Sequence, residues 1–406
     1  MSSTCIDSQI LGTSKHLLCS GDGYTWVSSP PKDAWYLSGS TKDWHPMCLD
    51  TLLKLNDYVI DLSPPKRFVN VMTKLMSGSN MSVPWTNVMP SHEYKAFVKK
   101  VENEAIVALA GLSKDYYEGC WVTENAVFGA LKPAKVDAQA WQALMDAKVG
   151  NMPVVETFRP DHKGFADPVR YDRFNTRTGR LTVASGPNIL TLKREYRSII
   201  KSSFPDGCIV YLDFAALEAR VLLYESGGRC DEPDLYEAIV RDVFKGKVSR
   251  KIVKGAVISE LYGSSKHSLG QVLGMSGKEL DNVINKVRVF FKTKDLKKRV
   301  KQEFVEKGYI TNRYGRRVAI DEPLDRIFIN SYAQSTGCDV VLLGFAQILS
   351  ELSQVQGIRP LYLLHDALLI DCAREAIPIV KSKQWVKVKG YVQKFVLKAE
   401  TLECTQ

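Results

Sequence analysis

The stretch Cys208-Ile-Val-Tyr-Leu-Asp213-Phe-Ala-Ala-Leu-Glu218-Ala-Arg-Val221 decides how the chain is built. Its first five residues form an unbroken apolar run, as a strand covered on both faces requires. Residues 215–225 then read as a helix, closed by Gly227-Gly228. Asp213 stands between the two. A carboxylate at a strand end is held rigidly at the lip of a sheet, within reach of a metal or a substrate. The simpler alternative is that Asp213 only caps the helix.

A second pair of apolar runs, Leu361-Tyr-Leu-Leu364 and Ala367-Leu-Leu-Ile370, encloses His365-Asp366. The pattern predicts a β-hairpin with the two polar residues at its tip, although turn chemistry alone explains an Asp there. Considered together, Asp213 and Asp366 are two rigid carboxylates from distant segments. Such a pair can hold two divalent ions about 3.5–4 Å apart, stabilising both the attacking and the leaving oxygen of a phosphoryl transfer. Mg²⁺, a hard cation that prefers oxygen ligands, suits carboxylates.

Two helices carry polar lines. Arg250, Lys254, Ile258 and Tyr262 recur every four residues, with Ser249 as N-cap and Gly263 as the stop. Each step drifts only about 40° around the helix and rises about 6 Å, so the four side chains form one stripe. Two cations, an apolar residue and a ring fit a nucleoside triphosphate lying along the helix; an amphipathic helix with a basic edge fits the spacing equally well. Arg326, Asn330 and Gln334 form a second line at i, i+4 and i+8. In the DNA minor groove every base pair offers acceptors at similar places, so donors there test pair geometry without reading sequence. A solvated helix face explains this line equally well. Residues 292–301 read as a basic helix, followed by Gly308-Tyr-Ile-Thr311 and Gly315-Arg-Arg317. Such a run is usually a solvated face, and beside the other motifs it is a reasonable contact for backbone phosphates.

The 406 residues suffice for two or three domains or one multi-lobed enzyme, and 45% hydrophobic content supplies a large core. Lys and Arg number 55 against 45 acids, a net charge of +10 that favours polyanionic partners. The nine cysteines include no Cys-x-x-Cys pair, which argues against structural zinc and suggests free thiols in a reducing compartment. Neither a signal segment nor a stretch of about 20 apolar residues stands out, so no membrane partner and a cytoplasmic location are expected. Residues 1–65 read as short strands and loops without chemistry. Residues 66–150 are helical, with clear periodicity over 92–112 and 138–145. Residues 151–177 read as a polar connector, and from 178 strands alternate with helices.

In order along the chain, these segments resemble family A DNA polymerases, the bacterial polymerase I type. Thr178-Gly-Arg-Leu181 with Pro187-Asn188 is similar to that family's Thr-Gly-Arg-Leu…Pro-Asn. Asp213-Phe-Ala-Ala-Leu-Glu-Ala-Arg-Val221 resembles its first catalytic motif, and Asp234-Leu-Tyr…Val243-Phe244 the stretch after it. Arg250-x3-Lys254-x7-Tyr262-Gly263 resembles the fingers helix. Gly308-Tyr-Ile-Thr311 with Gly315-Arg-Arg317 is similar to the next segment. Arg326-x3-Asn330-x3-Gln334 is similar to the primer-side helix, and His365-Asp366 to the second catalytic motif.

The resemblance covers about residues 170–375. It implies an α+β, right-hand polymerase fold of palm, fingers and thumb. Residues 1–65 would be a segment of unassigned role, 66–170 a thumb-like region and connector, and 171–406 palm and fingers, the fingers being about 228–320. Asp213 and Asp366 would hold two Mg²⁺ ions, with Mn²⁺ as an alternative. Arg250 and Lys254 would take the triphosphate of a dNTP, with Ile258 and Tyr262 beside it. Glu218 would be the steric gate against a ribose 2′-hydroxyl. Gly263 would border the template base together with Tyr262. Arg180, Arg326, Asn330, Gln334 and His365 would face the DNA primer-template. Ile258 stands where the family usually has an aromatic, Ala367 replaces the acid after His-Asp, Ala215-Ala216 replaces Ser-Gln, and Tyr236 replaces a His.

No Asp-x-Glu pair occurs in residues 1–150, so a DNA polymerase without proofreading is expected, and its compactness resembles a phage or plasmid type. A separate exonuclease or processivity protein could dock on residues 1–65. Two alternatives remain open. A single-subunit RNA polymerase or primase shares the fingers helix and the His-Asp hairpin but normally lacks a glutamate like Glu218. A non-catalytic nucleic-acid-binding scaffold would suit Ala367 and Ile258 but not the intact aspartates and cations.

Overall fold

The computed structural model describes residues 3–21, 23–38, 45, 47–55, 58–77, 84–111, 114–148, 152–262 and 266–402, without the side chains of 54–55, 114 and 260–262. The Tyr262 ring and Gly263 therefore lie outside the described residues. The chain forms two compact units, residues 1–121 and 122–406, the division falling within the helix Lys114–Ala130.

The first unit contains a four-stranded sheet in the order Gly23–Val27, His16–Ser20, Thr4–Ile6, Trp35–Leu37. Its long helix runs Ser91–Gly111, one residue from the periodicity read in the sequence at each end. Buried Phe97, Val101, Ala105 and Ala108 give that helix one apolar face.

The second unit is organised by a five-stranded antiparallel sheet. Its strands are β1 (Cys208–Phe214), β2 (Ile358–Leu364), β3 (Ala367–Cys372), β4 (Trp385–Lys387) and β5 (Lys394–Thr401), in the spatial order β2-β3-β1-β5-β4. The predicted hairpin is β2-β3. Leu364 pairs with Ala367 across a two-residue turn in which His365 takes a positive φ of 51°. Strand β3 is buried along its whole length, and its one acid, Asp371, accepts hydrogen bonds from Ser202 Oγ (2.5 Å), Ser203 Oγ (2.6 Å) and Ser203 N (2.9 Å). A buried carboxylate surrounded by donors in this way is a tether, not a site.

Four helices line the cavity at the sheet's working end, α1 (Leu217–Glu225), α2 (Leu235–Asp242), α3 (Arg250–Tyr262) and α5 (Asp325–Leu352), and α4 (Lys294–Lys307) packs against α5. Helix α5 is long and apolar enough to cross a membrane, yet two-thirds of its most apolar window is buried inside the protein. It crosses β1 closely because Gly344 has no side chain: a Cβ there would lie 2.7 Å from the Phe214 ring, itself stacked edge-on against Phe345 and Phe395.

Five expectations from sequence are corrected. Helix α1 begins at Leu217, not at 215, because β1 continues through Phe214 and Ala216 turns the chain with φ 53° and ψ 44°. No side chain caps α1, so Asp213 is not its cap. Residues 151–177 are not a plain connector, since Phe158, Tyr171 and Arg173 are buried. Tyr171 donates its hydroxyl to Leu363 O (2.8 Å) and accepts from Leu363 N (2.9 Å), locking the segment to β2. Arg316 of the Gly-Arg-Arg turn cannot meet nucleic-acid phosphates. It is 1% exposed and donates to the carbonyls of Arg173 (3.1 Å), Thr176 (3.1 Å) and Arg177 (3.3 Å). The basic helix before it, α4, starts two residues later than read and extends to Lys307.

Candidate active site

The ends of β1 and the β2-β3 hairpin open into a cavity of about 410 Å³. Asp213 sits one residue from the end of β1, and Asp366 sits at the hairpin tip beside it. Phe214 N donates to Asp366 O (3.0 Å), and Ala367 lies in register with Asp213. Both carboxyls are held above their ordinary range. Burial, then the charge of Asp366, then Glu400 push Asp213 up to about 7, against the pull of Lys398. Burial and Glu218 push Asp366 up as well. Two half-buried carboxylates whose surroundings both favour the protonated form are a donor set that a hard divalent cation would relieve. Among the described residues no cluster of three metal-ligating side chains occurs. Ala367 explains this in part, since it occupies the position beside Asp213 with a methyl group. The two aspartates fit a metal whose remaining ligands come from backbone, water or substrate.

Helix α3 forms a second wall. Ser249 Oγ accepts from Ile252 N (3.4 Å) at its start, as expected of an N-cap. Arg250, Lys254 and Ile258 all line the cavity, so the ladder read in the sequence does point one way. Arg250 is also engaged: its Nε (2.9 Å) and a terminal nitrogen (2.8 Å) donate to Asp234 Oδ2, and its guanidinium lies 5.4 Å from the Tyr236 ring centre. Asp234 Oδ1 meanwhile caps α2, accepting from Tyr236 N and Glu237 N.

Glu218, on the first turn of α1, lines the same cavity, and its charge acts on Asp366. Ala216 before it holds a left-handed conformation without glycine's freedom, a strain of roughly 1–2 kcal/mol maintained beside the carboxylates. On the opposite side, Arg180 Nε donates to His365 Nδ1 (3.3 Å), leaving the ring's proton on Nε2. Burial, followed by Arg180 and Arg197, lowers His365 to about 4, so the ring is neutral at physiological pH. Of the line on α5 only Gln334 reaches the cavity, accepting from Thr178 Oγ1 (2.9 Å). Asn330 and Arg326 are not among the lining residues; Arg326 is exposed and lies eight residues before Gln334, roughly 12 Å along the helix.

Nine residues singled out from sequence thus meet at one cavity. The family model that matches the chain is DNA polymerase family A, over residues 168–394, more than half its length. The chain belongs to DNA polymerase family A. DNA polymerase I of Bacillus subtilis (strain 168) is 27% identical over 259 residues, covering 56% of this chain and 29% of that protein. The thermostable DNA polymerase I of Thermus aquaticus is 25% identical over 234 residues, covering 51% and 28%. The matched stretch therefore spans less than a third of these relatives. The POL domain of Pol1 from M. smegmatis, solved in complex with DNA primer-template and dNTP, shares the fold with a TM-score of 0.55 at 12% identity, over 98% of this chain and 95% of that one. The fold is the α+β fold of a family A polymerase domain.

Lys398 and Asp234 line or border the site and were not picked out from sequence as site residues. Asp234 appears there only within a motif, and Lys398 sits in Lys394-Phe-Val-Leu-Lys-Ala, where nothing local separates it from a strand's solvent-facing lysine.

Proposed function

We propose that the chain is a template-directed DNA polymerase that extends a DNA primer with deoxynucleoside triphosphates, releasing pyrophosphate. The observation that carries this reading is the convergence on one cavity of two carboxylates, Asp366 raising the proton affinity of Asp213, two helix-borne cations four residues apart, and Glu218. Family membership and the primer-template and dNTP held by the structurally similar Pol1 domain support the choice of substrates.

Asp213 and Asp366 would hold divalent metal, Mg²⁺ or Mn²⁺, which when bound would acidify the primer 3′-hydroxyl and offset charge on the leaving group. Arg250 and Lys254 bind the phosphates and carry charge toward the pyrophosphate. The 3′-hydroxyl oxygen attacks the α-phosphorus in line, and the bond from that phosphorus to the bridging oxygen breaks. Glu218 fills the space a 2′-hydroxyl would need. His365, neutral and fixed by Arg180, faces the primer terminus with Gln334. Tyr262 and Gly263 border the template base, and Arg326 and Asn330 meet the duplex further along α5. Residues 171–406 serve as palm and fingers in this reading, and the absence of an Asp-x-Glu pair in residues 1–150 supports extension without proofreading by that segment.

Primer extension on a DNA template with Mg²⁺, deoxy- and ribonucleotides being compared side by side, tests the proposal. Extension by deoxynucleotides alone is expected, with a mismatched 3′ end left uncut. Efficient ribonucleotide use would favour an RNA polymerase or primase, and no extension with either nucleotide set would point to a required partner or a catalytically dead scaffold.

A further inference from the structure

The cross-strand row at the heart of the sheet reads Ala367, Asp213, Lys398. Ala367 flanks Asp213 on β3, and Lys398 flanks it on β5. On one side of the aspartate a methyl group stands where the family has an acid; on the other stands a cation that lines the cavity. Lys398 Nζ lies 3.4 Å from Asp234 Oδ2, the same oxygen that receives both bonds from Arg250. One carboxylate thus gathers a cation from the sheet and a cation from helix α3. It is itself fixed, because its other oxygen caps α2. Burial works to raise Asp234, but the bonds from Arg250, the backbone donors and Lys398 outweigh it, so the carboxylate stays charged.

Resting on the polymerase reading, we propose that Lys398 is a third phosphate-binding cation of the nucleotide site, held ready by Asp234 together with Arg250. A triphosphate whose α-phosphate lies at Asp213 and whose outer phosphates reach Arg250 must pass Lys398. That residue is adjacent to Asp213 by strand register and linked to Arg250 through a shared carboxylate oxygen. Lys398 is 43% exposed and Arg250 39%, so both can exchange Asp234 for phosphate oxygens without leaving their elements. A lysine suits this place because its ammonium is a compact point charge on a flexible stem. It also balances Asp213 from the side that Ala367 does not reach.

The test uses Lys398→Met and Lys398→Arg beside the wild-type chain, with two readouts. Steady-state incorporation on a saturating primer-template gives KM for the nucleotide and kcat. Calorimetric titration with pyrophosphate gives phosphate affinity independently of turnover. Lys398→Met is expected to weaken pyrophosphate binding and to raise the nucleotide KM, each roughly tenfold, the loss of one charge-assisted contact. Primer-template affinity should be unchanged and Lys398→Arg should recover most of the loss. Equal pyrophosphate affinity in wild type and Lys398→Met would overturn the inference whatever the activity. A wild-type chain that incorporates no nucleotide would overturn the polymerase reading instead. Loss of primer-template binding in Lys398→Met, or failure of Lys398→Arg to recover, would make Lys398 a structural residue and also overturn the inference.

Discussion

Two groups of charged residues lie close together in the second unit, one in the cavity and one in the layer behind it, and the protein treats them in opposite ways. Behind the cavity, Arg173 donates to Asp339 Oδ1 (2.5 Å), Asp339 Oδ2 accepts from Asn312 Nδ2 (2.6 Å), and Arg316 is wrapped by three carbonyls. Each of these charges is buried and answered by the protein itself. In the cavity, Asp213 and Asp366 share a rim and are both held above their ordinary range, Asp213 by burial and Asp366, and Asp366 by burial and Glu218, and Ala216 is held in a strained conformation beside them. The buried layer answers its charges with protein donors and acceptors, whereas the two aspartates of the cavity stand in surroundings that favour their protonated form. Burial and charge together thus distinguish structural from functional groups where residue type alone does not.

The largest effect should come from removing either aspartate. Asp213→Asn and Asp366→Asn should each lower nucleotide incorporation on the order of 10⁴-fold. Primer-template affinity, measured by fluorescence anisotropy, should remain within a few-fold of wild type. Turnover within tenfold of wild type in either variant would remove that residue from the reaction and erase the distinction between the two groups.

The buried group should fail differently. Arg173→Met leaves Asp339 charged in a closed layer, and breaking one half of a buried pair typically costs about 3–5 kcal/mol. Chemical denaturation should show that loss in full. Whatever fraction remains folded should incorporate nucleotide with an unchanged KM. A stable Arg173→Met chain with altered KM would place this network in the site.

Much of this was readable in the chain, for identifiable reasons. The strand before Asp213 and the hairpin around His365-Asp366 announce themselves because a doubly covered sheet demands continuous apolar runs. The ladder on α3 was legible because four-residue spacing fixes a common face whatever surrounds it. Arg316 was misread because its basic neighbourhood resembles a phosphate contact, and only the fold brings the carbonyls of residues 173–177 around it. Residues 151–177 looked polar because their buried members, Phe158, Tyr171 and Arg173, are widely spaced and include a charge. Lys398 could not be found because its neighbour in the sheet lies 185 positions earlier, and register between such distant strands is not written in local pattern.

The raised proton affinity itself can be measured without substrate. The Asp213 carboxyl, raised to about 7 in the folded chain from 3.8, binds its proton more tightly folded than unfolded. The stability this confers is present in full below about pH 4, declines through the window from 4 to 7, and is lost above it. Asp213→Asn removes the titration, so the metal-free variant should exceed wild type by roughly 2–4 kcal/mol at pH 8, the gap narrowing by pH 5. Thermal denaturation in chelator at the two pH values decides this. A variant no more stable than wild type at pH 8 would mean that the cavity solvates its carboxylates, and the contrast with the buried layer would weaken.

The smallest effect concerns the sugar, where the cavity departs from its family. Ile258 is 37% exposed on the α3 wall, offering a branched aliphatic where an aromatic plane is usual. Glu218 is hemmed by α5 on the far side: a Cβ added to Gly337 would lie 3.9 Å from the Glu218 side chain. With one wall reduced, discrimination against a 2′-hydroxyl in the proposed reaction would fall mainly on the position of Glu218. Truncating it opens room for one hydroxyl, a change worth about 1–2 kcal/mol in a shaped pocket. Glu218→Ala should therefore raise kcat/KM for ribonucleotides roughly tenfold relative to deoxynucleotides, and Ile258→Tyr should lower it a few-fold in the otherwise wild-type chain. Unchanged ribonucleotide use in Glu218→Ala would assign the choice of sugar to another part of the wall. A gain in Glu218→Ala that Ile258→Tyr then reverses would show that the ring and the carboxylate share the same function, and that this chain has shifted the larger part of it onto the carboxylate.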